Sequence, residues 1–453
     1  MKNIRILSIL LTICLLLAMV ACTKDEPDTN TTEPQSSEKA TTTAAPDDDD
    51  EPDNGTTSGT TDNGGDDTPA GPKYTWATQG GVGTADDPLI INQTNFVEFY
   101  NFYLKGGFDA FIDPDEHFKL GSDIVVNQGN AADWATTNPA IVFTAPMNSL
   151  VGTFDGDGHT ISGLCIKTQH QTGENSGCGL FFTINKGATL KNLRIENSYL
   201  NAKGPTDGFW NAGTFASRME GGVIENCYSS AILDSTGIAF SGNAYFGGIV
   251  GRINKEDCKV TNCVFAGEVN ASSVRAGGII GGISTTFYSW VEVKNCLNLG
   301  KVTGYNAGGI IGYDESHGAS VSKVINSINL SKDIVRQQNS QAGNDIIGTY
   351  SCYYATIPID TYVITDVRPG PTTANGGIVF IGDTNLNPQM NDPETYNTAY
   401  TLRKMTLSEF LALGGTANAP AGWNFKAGCV PCPIAGLEIS IAPYLTAWGI
   451  TLS

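Results

Sequence analysis

The chain has 453 residues, a formal net charge of −20 and a pI of about 4.5. That acidity excludes a nucleic-acid binder, which needs basic patches. The four histidines (His117, His159, His170 and His317) are dispersed and none is followed by Glu; this excludes the His-Glu-x-x-His pattern of zinc peptidases.

In chain order, residues 1–21 read as an export signal. Lys2 and Arg5 precede a mostly apolar run from Ile6 to Val20, too short for a spanning helix of about 20 residues. The run ends at Leu17-Ala-Met-Val-Ala-Cys22, and small residues before a Cys resemble a bacterial lipoprotein cleavage box. Cys22 is therefore the expected lipid attachment site, and a diacyl anchor meets the two-chain requirement for stable membrane attachment. An ordinary secretory signal is the alternative. Residues 22–73 form an acidic Thr/Asp/Pro tether. Its segment 23–70 carries 14 carboxylates against 2 lysines and no aromatic residue, too little apolar surface to offset the entropy of ordering. A net charge of −10 remains for residues 71–453.

Residues 74–150 read as an N-terminal cap and lead-in. Asn95-Phe-Val-Glu98 has capping-box spacing and opens a short helix carrying Phe96, Phe99, Tyr100, Tyr103 and Leu104 and ending near Gly106-Gly107. Then a repeat begins. Ile195-Glu-Asn197-Ser, Ile224-Glu-Asn226-Cys, Val260-Thr-Asn262-Cys, Val293-Lys-Asn295-Cys and Val324-Ile-Asn326-Ser follow one another at 29, 36, 33 and 31 residues. Glycine signals precede them, in the clearest copies Gly247-Gly-Ile-Val-Gly251, Gly277-Gly-Ile-Ile-Gly281 and Gly308-Gly-Ile-Ile-Gly312. Self-similarity at this period marks a solenoid. The short Ile- and Val-rich runs are strand chemistry, and about 30 residues accommodate roughly three short strands. One repeat cannot bury its own apolar face, so the copies must stack. The expected fold is all-β: a right-handed parallel β-helix of six to seven coils with a short N-terminal capping helix. Asn197, Asn226, Asn262, Asn295 and Asn326 are the expected corner ladder, because Asn tolerates left-handed backbone. The following Ser or Cys should be the first inward residue. Cys227, Cys263 and Cys296 would then stack as free thiols, since parallel Cβ vectors aim their sulfurs poorly for a disulfide.

The Gly-Gly-Ile-Val-Gly and Asn-Cys copies resemble GLUG-motif repeats of bacterial surface proteins, including regions flanking immunoglobulin A1 proteases. The resemblance extends to Gly83-Thr-Ala-Asp-Asp-Pro, to Gly152-Thr-Phe-Asp-Gly-Asp-Gly-His159 and to the ending at Trp423-Asn-Phe and Pro443-Tyr-Leu445. It implies a GLUG-repeat β-helix over 151–350, C-terminal coils and a cap over 351–453, and a lipid-anchored protein on the bacterial cell surface without the peptidase. It implies no shared reaction.

The remaining chemistry is sparse. Asp155, Asp157 and His159 form the densest polar cluster, within a Gly-spaced turn whose likeness to the first-coil turn favours a structural role. Arg218, Arg252 and Arg275 fall at different phases of the repeat and make no column. Cys429-Val-Pro-Cys432 lacks the second ligand pair that zinc needs; it reads as a local disulfide or two free thiols. Neither a metal nor a cofactor is expected. Trp210, Phe287, Tyr288 and Trp290 lie between repeat signals, where insertions map to loops often on a binding face. They are candidate glycan contacts, or rings packed back onto the coil. The expected role is an adhesin or extracellular binding protein for a host glycoprotein, a polysaccharide or another surface protein. A polysaccharide-active enzyme and a structural spacer are the alternatives.

Overall fold

The computed structural model describes residues 74–104, 112, 116–168, 176–202, 210–235, 244–255, 257–285, 290–315, 321–337, 341–342, 346–350, 357–367 and 402–452. Cys22 and the tether lie outside the described residues, as do Phe287 and Tyr288. The chain winds as a parallel β-solenoid of about six turns. Each coil visits four sheets, one more than the repeat length suggests. A representative coil runs through Val223–Glu225 (first sheet), Tyr228–Ser229 (second), Ile232–Asp234 and Tyr245–Gly247 (third), and Val250–Ile253 (fourth). Among the described residues the first and second sheets hold nine strands each and the fourth holds six. Neighbouring coils pair in parallel, as in Ile224↔Val260 and Val260↔Val293.

The corner between the first and second sheets is made by left-handed residues: Asn192 (φ 54°), Asn226 (53°), Asn262 (51°), Asn295 (52°), Asn326 (47°) and Asp360 (45°). Their backbones repeat one bond each. Asn226 N–H donates to the Thr261 carbonyl, Asn262 to Lys294, Asn295 to Ile325 and Asn326 to Ile359. The side chains link as well. Asn295 Nδ2 donates to Asn262 Oδ1 (3.0 Å), Asn262 Nδ2 to Asn226 Oδ1 (3.0 Å), Asn226 Nδ2 to Asn192 Oδ1 (3.2 Å) and Asn192 Nδ2 to Asp155 Oδ1 (2.9 Å).

Asn197 stands outside this column, a correction to the expected ladder. Lys191 pairs with Glu225, so Asn192 is the residue beneath Asn226. Asn197 turns the next corner, between the second and third sheets, also at positive φ (42°). Its side chain donates to the Gly129 carbonyl (2.8 Å) and accepts from Ala131 N–H (3.0 Å). One local device serves both corners: Ser198 Oγ, Cys227 Sγ, Cys263 Sγ and Ser327 Oγ each donate to the carbonyl two residues earlier. Cys227, Cys263 and Cys296 are free and fully buried.

The glycine signals fall where the third sheet bends into the fourth, and Gly247, Gly277 and Gly308 stack in register. A Cβ on Gly277 would lie 2.0 Å from the Ile280 carbonyl oxygen, so close backbone approach dictates glycine here.

Helix α1, Phe96–Tyr103, buries Phe96, Phe99, Tyr100 and Tyr103 against the first coils. Tyr100 stacks on Phe143 at 3.7 Å between centroids, and Phe99 meets Phe118 and Phe154. Asn95 forms no side-chain cap. It is buried instead and ties three strands of chain together: it accepts from Asn92 N–H and donates to the Trp76 and Ile90 carbonyls.

The C-terminal segment rides along the side of the coils. The second sheet carries an outward column, Val264–Leu297–Ile328–Tyr362 in register, whose first three members are 0% exposed. A second apolar cluster covers them, formed with Leu407, Phe410, Trp423, Val430, Cys432, Ile434 and Ile441. This layer begins at Leu402–Met405, which pairs with Thr361–Ile364. It includes α2 (Leu407–Leu411), opened by a complete Thr406/Glu409 capping box, and α3 (Ala442–Trp448). Lys332 Nζ donates to the Ala447 carbonyl at the end of α3.

Candidate functional site

The Asp155–His159 turn is held from every side. Asp155 Oδ1 accepts from Asp157 N–H and from Asn192 Nδ2, both at 2.9 Å. Lys191 lies 3.5 Å from Asp155 and Lys119 2.9 Å from Asp157. His159 Nδ1 faces Asp123 at 3.1 Å. Asp123 is held below the usual carboxylate range, chiefly by the Thr160 N–H and then by His159. With each carboxylate of the turn beside its own lysine, the geometry is that of a tied corner.

The aromatic candidates separate. Trp210 is 1% exposed and packs within the solenoid core, so it is withdrawn as a surface contact. Its strand, Trp210–Gly213, pairs with neighbours on both sides and is buried throughout. Trp290 is 47% exposed. It opens the first-sheet strand Trp290–Lys294, in which Val291 and Val293 face inward while Trp290, Glu292 and Lys294 face out. Lys323 Nζ lies 4.9 Å from the Trp290 ring centroid, a cation–π arrangement. Further along the same face the outward columns Val223–Lys259–Glu292–Lys323 and Glu225–Thr261–Lys294–Ile325 present mixed charge.

Two of the three arginines, Arg252 and Arg275, meet at one carboxylate, and Arg218 shares a column with Arg252, which corrects part of the reading from repeat phase. Arg218 and Arg252 are register partners on the fourth sheet. Arg275 lies across the glycine bend on the third, in register with Tyr245. Arg252 (3.5 Å) and Arg275 (3.2 Å) converge on Glu315, whose Oε1 also accepts from the Tyr245 hydroxyl at 2.7 Å. Arg275 sits 3.5 Å over the Tyr313 ring, and Arg218 4.7 Å over Phe182. The Tyr245 ring occupies the space beside Gly282, where a Cβ would meet it at 2.0 Å. Burial, and then the Glu315 charge, push the Tyr245 hydroxyl well above its ordinary value. This network joins the two walls of the bend. Counting five residues from Gly213 and from Gly247 reaches Arg218 and Arg252, a sequence signal that phase relative to the Asn motif hides.

No group of three or more His, Cys, Asp or Glu among the described residues is disposed to hold a metal. Cys429 and Cys432 are free thiols, and burial pushes Cys432 up to about 11. Among the described residues no helix is long and apolar enough to cross a membrane.

No family model matches the chain. A stretch of 213 residues, 46% of the chain, is 29% identical to Halomucin of Haloquadratum walsbyi, and that match spans 2% of Halomucin's own length. Among solved structures, an immunoglobulin A1 protease candidate from Bacteroides ovatus aligns over 62% of this chain and 85% of its own, at 19% identity and a TM-score of 0.35.

Proposed function

We propose that this chain is a lipid-anchored bacterial surface protein of the GLUG-repeat type, held at Cys22, whose β-solenoid binds an extracellular glycan. The acidic tether of residues 22–73 lifts the solenoid from the membrane. The observation that carries the binding role is Trp290. A large aromatic ring left 47% exposed at the start of a sheet strand, beside Lys323, is a stacking platform for a sugar face. The match to Halomucin is compatible with display at a cell surface.

The test is an array of polysaccharides, glycoproteins and matrix proteins probed with residues 71–453 and with the Trp290→Ala variant. Specific glycan retention, reduced at least tenfold by Trp290→Ala with the fold intact, is the expected result. Retention of proteins alone would make the partner a surface protein. Release of shortened sugar products would make the chain an enzyme, and no retention at all a spacer.

A further inference from the structure

Eight of the twelve lysines among the described residues ion-pair with a carboxylate or donate to a carbonyl. Lys259, Lys294, Lys323 and Lys404 do neither within the described residues. Three of these four stand together, on the outward side of the first sheet that Trp290 opens. Lys259 and Lys323 flank Glu292 from the neighbouring coils, and Lys294 lies two residues beyond Glu292 on the same strand. Lys259 and Lys294 are exposed and Lys323 is half-buried. Glu225 and Glu292 are the carboxylates among them, and Asp257, one coil before Trp290, is already paired with Lys186 at 3.4 Å. The face therefore keeps a positive excess on a chain of net charge −20.

An exposed lysine without a partner is ordinarily just hydrated. Lys323 is placed more tellingly. Its ammonium lies 4.9 Å from the Trp290 ring centroid, and it makes no ion pair with Glu292, its register partner. Ring and charge form one unit, and Trp290 is still 47% exposed with that lysine in place. A pyranose stacked on the ring carries its substituents to the ammonium. A carboxylate there gains a charge-assisted hydrogen bond, which a hydroxyl cannot match. Glu292 is left to accept from sugar hydroxyls. Lys294, about 13 Å along the strand from Trp290, meets a carboxylate further along the same polymer.

We propose that the glycan taken by the Trp290 platform is acidic, a polysaccharide of uronate residues, with Lys323 as the specificity-determining cation. The inference rests on the glycan-binding reading above and names its ligand class.

Retention of the full chain on immobilised polygalacturonate, its methyl ester and dextran sulfate tests it. Methyl esterification removes the charge and leaves the sugar ring, and it should weaken retention about tenfold, the worth of one charge-assisted hydrogen bond. Lys323→Gln should lose as much on the acid form and nothing on the ester. Lys404→Gln removes an equal charge from a strand of the second sheet and should bind as wild type. Equal retention of acid and ester, or a Lys323→Gln protein that binds the acid as wild type, would overturn the proposal. If Trp290→Ala still abolished binding in that case, the platform would stand with a neutral glycan as its ligand. Dextran sulfate held as tightly as polygalacturonate would reduce the face to a general polyanion site and overturn uronate recognition. No retention on any glycan, neutral or acidic, would remove the platform and this inference with it.

Discussion

At the scale of single residues, the corner asparagines bear the most specific demand. Each sits at positive φ, where a β-branched residue is strained, and the side chains of Asn192, Asn226 and Asn262 each both donate and accept. Asn262→Val should therefore cost roughly 2–4 kcal/mol, from backbone strain and one or two lost hydrogen bonds. Thr261→Val, one position earlier on the outward face, should cost about 0.5 kcal/mol or less. Urea unfolding of the two variants measures the difference. Equal losses would mean that the register Val260↔Val293 does not exist in solution. Asn197 shows where residue-level reading fails. Ile195-Glu-Asn197-Ser resembles the other copies better than Leu190-Lys-Asn192-Leu does, because Ser198 follows it. Yet the true member is Asn192, 34 residues before Asn226, which brings an aberrant spacing of 29 into line with its neighbours. The polar-then-small pair encodes a turn, and the same turn is used at two corners.

At the scale of elements, most of the coil was legible and the covering layer was not. Strands pairing one per coil follow from short apolar runs at a fixed period, and the glycine signals mark a bend that admits no Cβ. The fourth sheet escaped the count because Val250–Ile253 and its equivalents begin inside the glycine signal itself. The Trp290 platform could be named from sequence only as one of four rings, since burial separates Trp210 from Trp290 and no local pattern encodes it. The side layer was hidden for a related reason. Val264-Phe265 is one apolar run, and its two residues face opposite ways: Phe265 enters the solenoid core while Val264 enters the second cluster. A strand buried on both faces reads as a continuous apolar run, which does not say what covers its outer side. The layer's dependence on that column is testable. Leu297→Asp puts a charge at a fully buried outward position. It should undock 406–452, seen as rapid proteolysis within that segment, while the far-ultraviolet β signal of the coils persists. Cooperative loss of both would make the layer integral to the solenoid.

At the scale of the whole molecule, we propose a lipid-anchored Cys22 followed by an acidic tether and the solenoid. Residues 23–70 carry −12, a charge that keeps a sequence of this composition well hydrated. Binding then depends on display, because a glycan outside the cell meets only what stands outside it. The most direct measurement is protease treatment of intact cells expressing the full chain. Cleavage within the tether should release an intact solenoid fragment into the medium, and the membrane fraction should lose it in proportion. The Cys22→Ala protein should be absent from membranes before any protease is added. A wild-type chain that resists external protease until the cells are broken, or a Cys22→Ala chain that remains in the membrane fraction in full amount, would contradict a lipid-anchored surface protein.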